Sequence, residues 1–361
     1  MGATGEQTAD GGTGDLTGPR FSEEDLVRTA AAVLGALGAP QQTAQLVATS
    51  LALSNLVGHD SHGIVRLIQY SDWVRTGQIQ PGGAPTVVRA RGAVATVDGG
   101  WGFGQPAAQA ATRLAIELAS DQGVAAVAIS SCNHVGRLGE YVETIAGAGQ
   151  MGMAFCNSGP VVAPFGGAGR VMGTNPFAWS APLREGTVVV DFATSKVAEG
   201  KLKIALAEGR TVAPGCIGDR AGQPSVEPAD FYDGGALLAF GEHKGSGMSM
   251  LIELTAGLVS KMGTSCDPEY LGGNGALILA LDIAAFVSAD RYFDQADTFC
   301  REAKRLGGGP SSVDILLPGE LEARTFERRR AGGVSVPAPI RHQITELASE
   351  LGVDVGAFSL P

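Results

Sequence analysis

The sequence predicts an α/β protein: a mixed sheet in the middle of the chain, flanked by helical segments from both ends. Three observations carry that reading. Apolar runs of strand length recur through the middle third, amphipathic helical patterns fall among them, and both ends of the chain read as helix. With 361 residues, 44% hydrophobic and 17% charged, the chain can bury a large core divided into two or more lobes.

Residues 1–19 are mostly Gly, Thr and Asp with little to bury, and read as a disordered tail. Ser22 with Asp25 three residues on marks a helix start, opening an apolar-periodic stretch to about residue 37. Pro40 starts a second helix to about residue 56, and a third is expected over 61–76. After Gly82, PTVVRA and AVATVDG alternate like short strands, and QPAAQAATRLAIELASDQG reads as a helix leading into the buried-strand run VAAVAIS. Similar runs recur at MGMAFCN, TVVVDFATS and ALILALDIAAF, with helical patterns at 136–150, 196–209 and 244–262. The last part of the chain returns to helix at 289–306, 320–331 and 338–351. The expected domains are therefore a helical one from 20–120 with 301–361, and an α/β one from 121–300.

The formal charge of −11 argues against a nucleic acid or an anionic membrane as partner, since both need clustered Lys and Arg. A small anionic substrate would have to be met by local cations. The five cysteines are widely spaced, with no CxxC pair, so neither a disulfide framework nor a metal site is expected. With no secretory leader pattern and no apolar run of about 18 residues, a cytoplasmic protein is expected. No GxGxxG opens a helix after a strand, and GWGFGQ at 100–105 has the wrong spacing. A dinucleotide would bind without the usual Rossmann loop.

Five segments carry residues suited to chemistry. In GHDSHG, a helix starting near Ser61 would set His62, Arg66 and Tyr70 at i, i+4 and i+8 as one polar stripe. Imidazole titrates near neutrality and can exchange a hydroxyl proton, while guanidinium grips a carboxylate in two places. The same residues also suit a plain helix cap with a surface His and Arg. In SCNHVGR, His134 follows the strand VAAVAIS, where α/β sheets gather ligands, or it is only a turn histidine. PFGGAGRVMGTNP, with Ser158 before it, offers backbone amides and the Thr174 hydroxyl through 173–176, or merely a turn. VDFATS ends a strand in Asp191, Thr194 and Ser195, as ligand contacts or as a helix cap. GEHKGSG puts glycines and Lys244 at a helix start, as phosphate binding needs, though ordinary helix entry looks the same.

Taken in order, these segments resemble the malate/L-lactate dehydrogenase family, which also holds ureidoglycolate and sulfolactate dehydrogenases, diketogulonate reductase and the piperideine-2-carboxylate reductases. The resemblance spans about residues 20–345. It rests on DSHG with Arg66 four after His62, NHVG, PFGG followed by GTNP, DFATS with a GK after it, HKGSG, and LPGE at 317–320. It implies a non-Rossmann NAD(P)-binding mixed-sheet domain beside a helical domain built from the N- and C-terminal segments, in a homodimer. The implied reaction moves a hydride between nicotinamide C4 and C2 of a small 2-hydroxy or 2-oxo carboxylic acid. His62 or His134 would be the acid/base, with His62 favoured, and Arg66 would hold the substrate carboxylate. Ser61, Tyr70 and Ser158 would face substrate; Ser158 with Thr174, Asn175 and Pro176 would border the nicotinamide. Asp191, Phe192, Ala193, Thr194 and Ser195, on to Val197, with His243, Lys244, Gly245, Gly319 and Glu320, would hold NAD or NADP. No metal is implied. Ser246, where many members carry an aromatic residue, and the charged Glu242 depart from the family pattern. Reduction of a cyclic imine carboxylate is the close alternative, and a non-catalytic dinucleotide-binding protein the remote one.

Overall fold

The computed structural model describes residues 18–270, 272–308 and 314–358, so the expected tail lies outside the described residues up to residue 17. The chain divides into two compact units, one running to Asp72 and resuming at Ala323, the other Trp73–Glu322.

The first unit contains β1 (Arg20–Phe21), α1 (Glu23–Ala36), α2 (Gln41–Leu56) and the start of α3 (Arg66–Arg75). Ser22 caps α1 by a capping box with Asp25, as the sequence indicates: each side chain takes the other's backbone N–H. α1 packs on α2, and Leu26, Val33 and Leu34 of the one and Val47 and Leu51 of the other are all buried. The C-terminal segment of the chain belongs to the same unit. Phe21↔Val334 pairs β1 with a short antiparallel strand, and Phe21 and Phe358 rings lie 4.1 Å apart.

The second unit is built on a seven-stranded mixed sheet. Its strands are β2 (Thr86–Arg91), β3 (Val94–Asp98), β4 (Val124–Ser130), β5 (Gln150–Cys156), β6 (Phe177–Pro182), β7 (Thr187–Phe192) and β11 (Ala276–Asp282), in the order β2-β3-β4-β11-β5-β6-β7. The short strands β8 (Ile217–Gly218), β9 (Pro224–Ser225) and β10 (Ala236–Leu237) form a separate three-stranded sheet. The strand paired with β1 is β12 (Val334–Ser335). Only β3 and β4 run parallel in the large sheet, joined by the crossover helix α4 (Gly104–Gln122). α4 buries an alanine face (Ala107, Ala108, Ala111, Ala115, Ala119) against Val127 and Ile129, and α5 (Gly139–Gly147) packs beside it on β5 and β6.

The remaining helices are α6 (Glu199–Ala207), α7 (Pro228–Tyr232), α8 (His243–Ile252), α9 (Ala289–Gly307), α10 (Glu320–Gly332) and α11 (Ala338–Glu350). Around the three-stranded sheet, Val162, Met172, Leu202, Ile217, Phe231 and Leu237 form a second apolar cluster.

Three expectations are corrected, and one strand had no counterpart in the sequence pattern. The boundaries at 120 and 301 fall inside the second unit, because β2, β3 and α4 complete its sheet and α9 stays with it. The third helix begins at Arg66; before it, Asp60–His62 is a separate 3-10 turn, so His62 and Arg66 are not on one α-helix. The 244–262 helix is interrupted by a π turn at Glu253–Gly257. FAWSAP is a strand, β6, whose buried positions hold Ala178, Ser180 and Pro182; the small side chains give no apolar alternation to read.

Candidate functional site

In the first unit, the Gly58–Gly63 turn is organised by residues other than its histidines. Asn55, buried in the last turn of α2, accepts from Ile64 N–H at 2.8 Å and donates to Asp60 Oδ1 at 2.7 Å. Arg329 of α10 reaches both Asp60 oxygens, at 2.7 and 3.0 Å, and donates to the Asn55 carbonyl. A Cβ at Gly63 would overlap the Asn55 amide, so only glycine lets the turn close on it. The Asp and Gly of DSHG therefore hold the loop that presents His62.

Ser61 Oγ lies 3.0 Å from His62 Nδ1. Arg66, at the start of α3, donates Nε to Ser61 O at 2.6 Å and Nη1 to Gln69 Oε1 at 2.5 Å. His62 and Arg66 are partly exposed, whereas Tyr70 is buried, at 1% exposed.

In the second unit, Asn133 of NHVG is fully buried. Its Nδ2 donates to the carbonyls of Gln78, Trp101 and Gly102 at 3.1, 2.9 and 3.0 Å, so the asparagine locks the loop and His134 is the motif's partly exposed side chain. Three residues on, Arg137 is buried and paired with Glu143 at 2.7 Å. Burial opposes its charge, but Glu143, with Asp191 and Glu140 beyond, lifts the guanidinium above its ordinary range.

Several predicted cofactor residues come together here. Asp191, at the end of β7, accepts the Gly139 N–H at 2.7 Å, placing a carboxylate at the N-terminus of α5. Phe192 sits in an aromatic row with Phe177 and Phe240 at 5.8 and 5.3 Å; Ala193 beside it is partly exposed. Thr194 donates both its N–H, at 2.8 Å, and its hydroxyl, at 3.0 Å, to Thr174 O, while its carbonyl accepts from Phe240 N–H. DFATS, GTNP and the GEHK turn are thereby tied together. Ser195 Oγ donates to Val197 O, two residues further on. The Pro176 carbonyl joins Cys156 N–H at the end of β5, and Ser158 Oγ accepts the Thr174 N–H at 3.2 Å.

His243 and Lys244 are exposed at the start of α8, with the His243 ring 5.9 Å from Phe165. A Cβ at Gly245 would overlap the Phe240 carbonyl, so this glycine lets α8 begin hard against the turn. Ser246 is buried and accepts the Phe165 N–H at 3.0 Å: its departure from the family pattern fastens the PFGG loop to α8. Gly319 lies over the β7 backbone, where Val189 N–H bonds Pro318 O, and Glu320 accepts Leu317 N–H and pairs with Lys304.

The sequence reading missed the group that underlies this edge. Glu253, in the π turn, is buried and accepts from Gly173 N–H, Asn175 Nδ2, Asn157 Nδ2, and Ser265 N–H and Oγ. Its signal was available as the single acid in the apolar run MSMLIELTAGLVS. Asn157 and Asn274 extend the network to Val135 N–H in the NHVG loop.

Comparison with known proteins identifies the family. The family described as malate/L-lactate dehydrogenase matches residues 21–345. The chain is 34% identical over 342 residues to the L-sulfolactate dehydrogenase of Methanothermobacter thermautotrophicus, covering 93% of this chain and 98% of that one. It is 33% identical over 325 residues to the Delta(1)-pyrroline-2-carboxylate reductase of Ancylobacter novellus, covering 87% and 93%. The solved structure of malate dehydrogenase from Pyrococcus horikoshii superposes with a TM-score of 0.87 at 29% identity, over 95% of this chain and 98% of that one. The chain belongs to the malate/L-lactate dehydrogenase family.

Proposed function

We propose that this protein is an NAD(P)-dependent oxidoreductase acting at C2 of a small 2-hydroxy or 2-oxo carboxylic acid, through a dinucleotide site without a GxGxxG loop. The observation that carries the reading is the convergence of GTNP, DFATS and the start of α8 on Thr174 and Thr194 within one unit. Their chemistry fits a dinucleotide. Lys244 and the N-terminus of α8 offer a cation and helix amides to phosphate, and a Cβ at Gly247 would meet nothing within 4 Å, leaving room for close approach. Ser158, Thr174, Asn175 and Pro176 border the nicotinamide; Asp191 to Ser195, His243, Lys244 and Gly245 take the rest, with Gly319 and Glu320 supporting β7.

Bound NAD(P) supplies the hydride acceptor or donor. Arg66 holds the substrate carboxylate, with Ser61 and Gln69 fixing the guanidinium, and His62 takes or returns the proton of the C2 oxygen. His134 is the second candidate for that proton. Tyr70, being buried, acts on specificity through the packing of α3.

Pyruvate, oxaloacetate, sulfopyruvate and phenylpyruvate, each with NADH and NADPH and followed at 340 nm, test the reading; oxidation with none of them overturns it. Piperideine-2-carboxylate and pyrroline-2-carboxylate belong in the same panel, because the relative named for pyrroline-2-carboxylate reduction favours C=N reduction as the second reading. His62→Ala is expected to lower kcat by about 10²–10⁴ while NAD(P)H binding survives. Unchanged turnover moves the proton to His134.

We read the protein as a cytoplasmic homodimer. Among the described residues no helix is long and apolar enough to cross a membrane. Met250, Leu251, Leu254, Leu258 and Val259 are each about half exposed on one helical stretch, an apolar face suited to a second copy. Light scattering on the purified protein decides it, and a monomer overturns the dimer.

A further inference from the structure

We infer that Glu253 is a positioning residue for the proposed nicotinamide edge: a carboxylate inside the second unit that fixes the Gly173 and Asn175 backbone and side chain in the geometry hydride transfer needs. The inference rests on the proposed reading of that edge. It stands on three observations.

The first is the partner set. Oε1 accepts from Gly173 N–H at 3.2 Å, Asn175 Nδ2 at 2.8 Å and the Ser265 hydroxyl; Oε2 accepts from Asn157 Nδ2 at 3.1 Å and Ser265 N–H at 2.9 Å. The two amides cannot be turned over, because Asn175 Oδ1 accepts Ser158 N–H and Asn157 Oδ1 accepts Gly275 N–H. Leaving the Ser265 hydroxyl aside, each carboxylate oxygen thus faces two groups that can only donate: Gly173 N–H and Asn175 Nδ2 on Oε1, Asn157 Nδ2 and Ser265 N–H on Oε2.

The second is local structure. The helix that began at His243 widens into a π turn whose first residue is Glu253. Within this stretch the acid is buried, while Leu254 and Leu258 are about half exposed. Such turns interrupt an otherwise good helix and recur at functional sites.

The third is the strained backbone that the carboxylate restrains. Asn175 has φ +36°, a conformation that L residues rarely hold, and its side chain donates to Ser249 O, Ser249 Oγ and Glu253 Oε1 at 3.2, 3.0 and 2.8 Å. A carboxylate that is 5% exposed and has no ion-pair partner among the described residues is a costly way to fill a core. What it fixes is the spacing of Ser158, Thr174 and Asn175.

Glu253→Gln tests this, because an amide in either orientation turns its NH2 toward at least two obligate donors. With whichever acid or imine the wild type reduces, kcat at saturation is expected to fall at least tenfold. The Kd for NADH or NADPH, read by its fluorescence, is expected to change less than threefold, since the α8 end of the site is untouched. Asn175→Ala in a double-mutant cycle is expected to couple to Glu253→Gln by at least fivefold in kcat. Ser180→Ala, which removes a buried hydroxyl bonded to Val142 O away from this network, is the control for stability. If it lowers kcat as much for the same loss of Tm, the positioning role is overturned.

Should Glu253→Gln not fold, Ser265→Ala removes only the hydroxyl that bonds Glu253 and the Ser158 carbonyl. A kcat loss of about threefold supports the inference, and unchanged kcat overturns it. Normal turnover by Glu253→Gln overturns the inference alone; a wild type that binds neither NADH nor NADPH overturns the proposed site with it.

Discussion

Gly63 shows how much of a motif can be scaffolding. Its missing Cβ lets Asn55 reach both Ile64 N–H and Asp60, which Arg329 clamps from α10. Gly63→Ala is therefore expected to displace the Asn55 amide and leave a buried N–H unmet, a loss of about 2–4 kcal/mol in urea unfolding. Activity should fall with it, because the displaced loop carries His62. In the sequence, DSHG and NHVG stood out for their histidines; the structure gives Asp60, Gly63 and Asn133 the task of holding those histidines in place. That division was not legible, since a residue's partners at long range (Asn133 with Gln78 and Trp101, Asp60 with Arg329) leave no local pattern. Glu253 was nearer to legible: an acid alone in an apolar helix needs donors, but nothing in the sequence says which.

Elements were legible where their period or their caps were strong. VAAVAIS is β4, residue for residue, and the Ser22–Asp25 capping box opens α1 as read. The Ser22 hydroxyl, ahead of the other influences on it, holds Asp25 below its ordinary carboxyl pKa. A lowered carboxyl pKa stabilises the fold above the unfolded value, and that contribution is lost as pH falls through the folded one. Ser22→Ala should cost about 1 kcal/mol near neutrality. The difference between wild type and variant should shrink as urea unfolding is repeated toward acid; a constant difference contradicts the cap. Elements were lost where periodicity failed. β6 buries Ala178, Ser180 and Pro182, too small and too mixed to alternate visibly, and β8, β9 and β10 are two residues each. The 3-10 turn before α3 was hidden because His62 and Arg66 keep helical spacing across a break in the helix.

At the scale of the molecule, composition spoke for α/β layers and against a disulfide framework. All five cysteines are free; Cys132, Cys156, Cys216 and Cys300 are buried, and Cys266 is exposed. Burial pushes the Cys132 thiol up to about 12, so it is neither a nucleophile nor a ready target for oxidation. A thiol reagent such as DTNB should titrate one group per native chain quickly, and five only after unfolding. Two or more fast thiols in the native protein contradict this packing.

The strand order has a kinetic consequence. β11 lies at the centre of the large sheet, between β4 and β5, yet it comes last of its seven strands in the chain. Until synthesis passes residue 282, both neighbours present open hydrogen-bonding edges with no partner, β4 along 124–129 and β5 along 150–156. Closure then requires contacts more than a hundred residues apart, the kind that slow folding most. The nascent chain is most open to misassociation in that interval. Refolding should pass through an intermediate in which the first unit's α1 and α2 are protected from hydrogen exchange before β4 and β5 are. Simultaneous protection of all four would show that the sheet does not wait for its middle strand.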